Sequence, residues 1–193
     1  PQAYIFDPEL PYWIIYRNQL FDSVCRKLDF DVFEVFRDRQ LTNKLLSSSG
    51  ELRVLKSRNL SDDGKEILDI SGYDSYISYA AAKPLSVFQY LDAPNVYLTP
   101  NMTYKPRMMK KPPHCVVNGS LAILIPKGGI VPTEKQLAYF SSEEYRAFYQ
   151  IARNFQTRSL NVDACSVFFY GLLRDEAKPA PEKFDTSVQL SFL

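Results

Sequence analysis

The sequence predicts an α+β fold, a mixed and mostly antiparallel sheet with helices toward the N-terminal and C-terminal ends. Three observations point there. The unbroken apolar run Leu121-Ala122-Ile123-Leu124-Ile125 has the composition of a strand buried on both faces, and Asn118-Gly119 just ahead of it is a strong hairpin signal. Two helix starts follow in succession, Thr133-Glu134-Lys135-Gln136 and Ser141-Ser142-Glu143-Glu144, each with the spacing of a capping box. Strands and helices do not alternate regularly enough for a doubly wound parallel sheet.

Taken in order, Pro8 and Pro11 precede a helical pattern in which Ile14, Phe21, Val24, Cys25 and Leu28 share one face. Phe30 to Phe36 is dense in aromatic and β-branched residues and reads as a strand. Arg37 to Thr42 leads into the turn composition of Ser47-Ser48-Ser49-Gly50. Leu52 to Leu60 and Ile67 to Ile70 read as strands around the polar turn Ser61-Asp62-Asp63-Gly64, and Val96 to Thr99 as a short strand closed by Pro100. Cys115-Val116-Val117 and Leu121 to Ile125 form the two arms of the predicted hairpin, which Lys127-Gly128-Gly129 ends. A helix over Ser142 to Phe155 puts Tyr145, Phe148, Tyr149 and Ala152 on an inner stripe, with Arg146, Gln150 and Arg153 on an outward face. Ser166 to Leu173 reads as a last buried strand, and Asp175 to Lys183, rich in Pro, Ala and charge, as a linker. The organisation expected is a lead-in segment over 1–47, a main domain over 48–174 and a tail over 175–193.

Composition narrows the function classes. With 193 residues, 46% hydrophobic and 23% charged, the chain can bury a core. A formal net charge of +1 makes it no polyelectrolyte, so affinity for nucleic acid must rest on local patches. Cys25, Cys115 and Cys165 are odd in number and far apart, which supports neither a disulfide framework nor a zinc site and predicts a reducing compartment, the cytoplasm. No apolar run reaches membrane-spanning length. The chain opens at Pro1 rather than Met and reads as a piece of a longer polypeptide.

The residues of a self-sufficient enzyme are missing. The one histidine, His114, follows Pro112-Pro113 and reads as an edge residue, and no nucleophile, base and orienter can be placed together. No GxSxG, HExxH or phosphate-cradling glycine loop is present. Asp29, Asp31, Glu34 and Asp38 are spaced as a solvated face.

Charge is segregated along the sequence. From Ala93 to Thr133 there is no Asp or Glu, yet Lys105, Arg107, Lys110, Lys111 and Lys127 fall there. Within this stretch Asn101, Thr103, Tyr104, Lys105 and Arg107 crowd one loop, offering planar groups to base edges and point charges to phosphates. Lys56, Arg58 and Asn59 repeat that composition at a strand end, as do Arg37 and Arg39. The helix face of Arg146 and Arg153 continues into Asn154, Gln156, Thr157 and Arg158 without an acid. A merely solvated helix would carry Glu four residues from such arginines. These residues, Lys127 apart, are the candidate DNA contacts.

Several blocks, in colinear order, carry a family resemblance. They are Trp13 to Asn18, Val35 to Gln40, Tyr97 to Tyr104, Asn118 to Leu124 and Tyr139 to Arg146, continuing through Phe148-Tyr149, Ala152 to Asn154, Thr157 to Asn161 and Ser166 to Phe169. Together they resemble the C-terminal specificity region of adenine-specific DNA methyltransferases of type II restriction–modification systems. The closest group is the one paired with enzymes that cut outside short asymmetric sites. The resemblance implies a target-recognition domain that docks duplex DNA beside a separate, N-terminal catalytic domain. That domain would bind S-adenosylmethionine and flip the adenine out of the helix. Its hallmark, Asn/Asp-Pro-Pro-Tyr/Phe, is not matched by Lys111-Pro112-Pro113-His114, so no cofactor and no catalytic residue are expected in this chain. The alternative from another class is a basic protein-interaction domain docking a restriction or methyltransferase subunit.

Overall fold

Short elements joined by tight turns make up a computed structural model that describes residues 7–156 and 161–174. In chain order they are α1 (Gln19–Cys25), β1 (Leu28–Asp29), β2 (Phe33–Phe36), β3 (Leu52–Leu55), β4 (Ser75–Ile77), α2 (Tyr79–Ala82), β5 (Tyr97–Pro100), β6 (Met109–Lys110), β7 (Cys115–Val117), β8 (Leu121–Pro126), α3 (Glu134–Tyr139), α4 (Glu143–Ala152) and β9 (Leu172–Leu173). The fold is α+β, with mostly antiparallel pairing.

The apolar run at 121–125 becomes the inner strand β8, buried on both faces as its composition predicts. An antiparallel sheet of order β2-β8-β5-β6 surrounds it, and side chains alternate between two cores because successive residues of a strand point to opposite faces. Ala122 and Leu124 join Phe33 and Tyr97 under α1 and α4, where the rings of Phe21 and Phe148 stack at 5.1 Å. Leu121 and Ile123 join Leu98 in the second core, against Val54 and Val116 of the three-stranded sheet β4-β3-β7. The inner stripe of α4 is as predicted: Tyr145, Phe148, Tyr149 and Ala152 are all buried.

The predicted hairpin does not form. Asn118-Gly119 does lie in a tight turn, closed by Leu121 N–H donating to the Asn118 carbonyl at 3.0 Å. Its arms, however, enter different sheets: β7 pairs parallel with β3, and β8 pairs with β2 and β5. Neither turn residue has a positive φ. Glycine is needed at 119 for another reason, since a Cβ there would meet the Asp38 carbonyl oxygen at 2.7 Å.

Other boundaries shift for local reasons. The first helix begins only at Gln19, where Asn18 Oδ1 accepts from Phe21 N–H at 3.0 Å; Ile14 enters the core from the preceding loop and Leu28 from β1. The strand expected over 30–36 is confined to β2 beyond the left-handed Asp31 (φ 57°). The strand from Leu52 stops at Leu55, because Asn59 Oδ1 accepts from Lys56 N–H at 2.9 Å and closes a 3-10 turn; Ile67 to Ile70 makes a single bridge, to Leu60.

The Thr133–Gln136 capping box forms as predicted, whereas the next helix is capped by Ser142 on Tyr145 N–H at 3.1 Å, without a box from Ser141. Helix α4 ends at Ala152, short of Phe155, in a Schellman motif. Phe155 N–H donates to the Gln150 carbonyl and Asn154 N–H to that of Ile151, both at 2.8 Å, with Asn154 left-handed (φ 47°). Arg153 is buried, not outward. Ser166 to Phe169 is a 3-10 turn held by Asp163, leaving only β9 of the expected strand. The linker expected at 175–183 lies outside the described residues.

Gly119→Ala forces a methyl group onto a backbone carbonyl that has no flexible end to yield, and is expected to cost about 1–3 kcal/mol. Urea denaturation measures it; a change within about 0.5 kcal/mol, the range of an ordinary surface substitution, contradicts the close approach.

Candidate nucleic-acid interface

The turn Asn118-Gly119-Ser120 gathers three of the loops that carry candidate residues. The Asp38 carbonyl rests against Gly119, Ser57 N–H donates to Ser120 Oγ at 2.9 Å, and Asn101 N–H donates to the Ser120 carbonyl at 2.9 Å. Asn101 Nδ2 also donates to the Gly119 carbonyl at 2.9 Å. Strand direction explains the meeting. β2 and β5 run antiparallel to β8, and β3 runs parallel to β7, so the loops 37–42, 56–59 and 101–107 leave the sheets at one end.

Arg39, Arg58 and Lys105 are exposed at this end, with Arg37, Lys56, Thr103 and Tyr104 half-buried. The Arg58 guanidinium lies over the Tyr73 ring at 4.7 Å, and the Lys56 ammonium over the same ring at 4.0 Å. Lys56 Nζ donates to the Tyr73 carbonyl and to Ser75 Oγ; burial pushes its pKa down, against the opposing charge of Asp74. The three loops contain one carboxylate, Asp38. It is buried rather than solvated, turned inward to accept from Gln40 and Leu41 N–H at 3.3 and 2.8 Å.

Several candidates are committed to the fold. Asn59, wholly buried, donates to the Leu68 carbonyl and to Asp74 Oδ1. Asn101 is buried, its Nδ2 also on Asn161 Oδ1 and its Oδ1 on Val162 N–H. Arg107 spreads its guanidinium over the carbonyls of Lys105, Ser57 and Leu60 at 3.1–3.2 Å. Asn154 clips the N-terminal segment, accepting from Ile15 N–H at 2.8 Å and donating to the Trp13 carbonyl at 3.0 Å.

Lys111 buries its ammonium on the carbonyls of Leu91 and Pro112, and burial lowers its pKa; this is no phosphate anchor. Lys110 is exposed but pairs across from Tyr97, at the far end of β5 from the loops. Arg153 donates to the Asn161 carbonyl at 3.0 Å and, with Tyr12, Asn154, exposed Gln156 and Asp163, lines a cavity of about 280 Å³. Arg146 is half-buried beside the Ser61–Gly64 turn. Thr157 and Arg158 lie outside the described residues.

The acid-free stretch does not remain acid-free in space. Asp62 pairs with Lys105 at 3.3 Å and Asp31 with Lys127 at 2.6 Å, both across turns that sequence order keeps apart. Reasoning from sequence missed Asp62, Tyr73 and the gathering role of Ser120; only the turn at Asn118-Gly119 gave a signal for the last. His114 is exposed and paired with Asp92 at 3.2 Å. Among the described residues no cluster of His, Cys, Asp or Glu could hold a metal, and no helix is long and apolar enough to cross a membrane. No protein-family model matches the chain, and no curated protein is significantly similar to it.

The Lys56–Asn59 loop rests on Asp74, and this gives a pH signature. Burial raises the Asp74 pKa, but bonds from Ile70 N–H and Asn59 and the charge of Arg53 outweigh it, so the net shift is downward. A depressed carboxylate contributes stability that is present above its unfolded pKa of about 3.9 and lost as pH falls through its lower folded value. Asp74→Asn should therefore flatten the loss of stability below about pH 4, read from urea midpoints between pH 7 and pH 3. An acid limb as steep as wild type contradicts the role given to Asp74.

Proposed function

We propose that the chain is the target-recognition domain of a site-specific N6-adenine DNA methyltransferase in a restriction–modification system, acting in the cytoplasm. In this reading it contacts duplex DNA with the loops 37–42, 56–59 and 101–107. One observation carries it: three loops emerge at one end of the sheets presenting Arg37, Arg39, Arg58 and Lys105, while their only carboxylate turns inward. Such a surface attracts phosphates without an internal competitor on the same loops. The colinear blocks of sequence resemblance support the same reading.

Roles follow from exposure and group geometry. Lys105 is a point charge suited to phosphate, whereas Arg39 and Arg58 carry planar forks suited to guanine edges. The Arg58 fork is held against Tyr73, which lowers the entropy lost on binding a base. Asn59, Asn101, Arg107 and Asn154 shape the loops from beneath. Methyl transfer belongs to the catalytic domain expected N-terminal to this one, which would hold S-adenosylmethionine and the flipped adenine.

A second reading, a protein-interaction domain, is favoured by the exposed apolar residues Trp13, Ile15, Tyr16 and Phe155, each more than half accessible. The readings separate in a duplex library selected on the parent protein. A target-recognition domain enriches a defined site, and Arg39→Ala or Arg58→Ala then costs about 1–3 kcal/mol on that site and much less on scrambled duplex. No enriched site would favour the interaction domain, and equal losses on both duplexes would reduce these arginines to electrostatic anchors.

A further inference from the structure

Asp62 touches Lys105 through its carboxylate and Arg146 through its backbone carbonyl, and Arg107 lies nearby. Its Oδ2 lies 3.3 Å from Lys105 Nζ, and its carbonyl accepts from Arg146 Nη2 at 3.3 Å. Arg107 lies close enough for Asp62 to favour its charged form and for Arg146 to oppose it, though burial is the larger influence. Among the described residues Asp62 is the only carboxylate within ion-pair distance of any of the three. Three positive charges thus lie around one carboxylate, which itself touches only Lys105. The Nε atoms of Arg107 and Arg146 are both buried without a hydrogen-bond partner.

The turn that presents Asp62 is fixed by its own bonds, whereas the Asp62 carboxylate has a single, exposed partner. Ser61 Oγ donates to Asp63 Oδ1 at 2.6 Å and accepts from Lys65 and Glu66 N–H, so Asp63 is consumed within the turn. Gly64 packs this turn against the Met108 backbone, where a Cβ would stand 3.0 Å from the carbonyl oxygen. Asp62 projects outward, its side chain 71% exposed, and its contact with Lys105 is long and open to water. Such a pair is weak and easily exchanged.

We propose that Lys105 and Arg146, backed by the buried charge of Arg107, form a phosphodiester-binding site in which the Asp62 carboxylate holds Lys105 in the free protein and releases it when a DNA phosphate arrives. The phosphate brings more acceptor oxygens than the carboxylate leaves, and the excess of cations favours it. Identifying the phosphate as one from duplex DNA rests on the reading above; the anion site itself does not.

Asp62→Asn tests it, with Asp31→Asn as the matched control. Asp31 also pairs with a lysine, at the opposite end of β8, and its left-handed backbone suits asparagine. Inorganic phosphate is titrated first, following the backbone amides of Asp62, Lys105 and Arg146 by NMR. Asp62→Asn should tighten phosphate binding about fivefold, the worth of one unit-charge contact near 4 Å in water, and Asp31→Asn should leave it unchanged. Adding Arg146→Gln to Asp62→Asn should abolish the gain. Equal effects of the two aspartate variants, or no phosphate response at these amides, overturns the site. The second arm repeats the comparison with duplex DNA by fluorescence anisotropy. A gain with phosphate but none with duplex keeps the anion site and removes DNA as its ligand.

Discussion

The turn at Asn118-Gly119-Ser120 is the constraint on which the arrangement depends. It carries the chain from the three-stranded sheet into the four-stranded one. Its groups bind Ser57 and Asn101, and its glycine admits the Asp38 backbone. Loops that begin in different sheets are thereby tied to one point. Asn101 extends the tie to Asn161 and Val162, beyond α4. Each bond alone is worth about 1 kcal/mol, but the groups are half-buried or, at Asn101, buried, and an unmade bond out of reach of water costs more than a made one gains.

How much of this was legible depends on the range of the interaction that decides it. The burial of 121–124, the Thr133 cap and the inner stripe of α4 follow from neighbours within a few residues, and the sequence shows them. Asn118-Gly119 shows a turn but not its purpose. A hairpin is the commonest use of that dipeptide; here β7 finds a parallel partner in β3, more than fifty positions earlier, which no local pattern encodes. The truncated strand after Leu55 and the 3-10 turn at Ser166 were hidden because Asn59 and Asp163 act through side-chain bonds that compete with strand pairing.

The candidate residues divide along the same line. Exposure of Arg39, Arg58 and Lys105 agrees with their place in polar loops. Asn59, Asn101, Arg107 and Lys111 looked alike in sequence, yet each satisfies buried carbonyls or carboxylates from remote segments. Asparagine and arginine suit a base edge and a buried backbone for the same reason, a planar array of donors, so residue type alone does not separate the two uses. Charge counting has the same weakness. A stretch with no acids over forty residues gains Asp62 and Asp31 as neighbours once the chain folds.

The proposed function requires that one end of the sheets face DNA. Amide hydrogen exchange, measured with and without a saturating mixed-sequence duplex at low salt, reads that face out. Slower exchange is expected in 37–42, 56–59 and 101–107, with no change at Lys110 and Lys111 or around Lys127 at the opposite end. Protection confined to the opposite end, or to the exposed aromatic residues near Trp13 and Phe155, would contradict it.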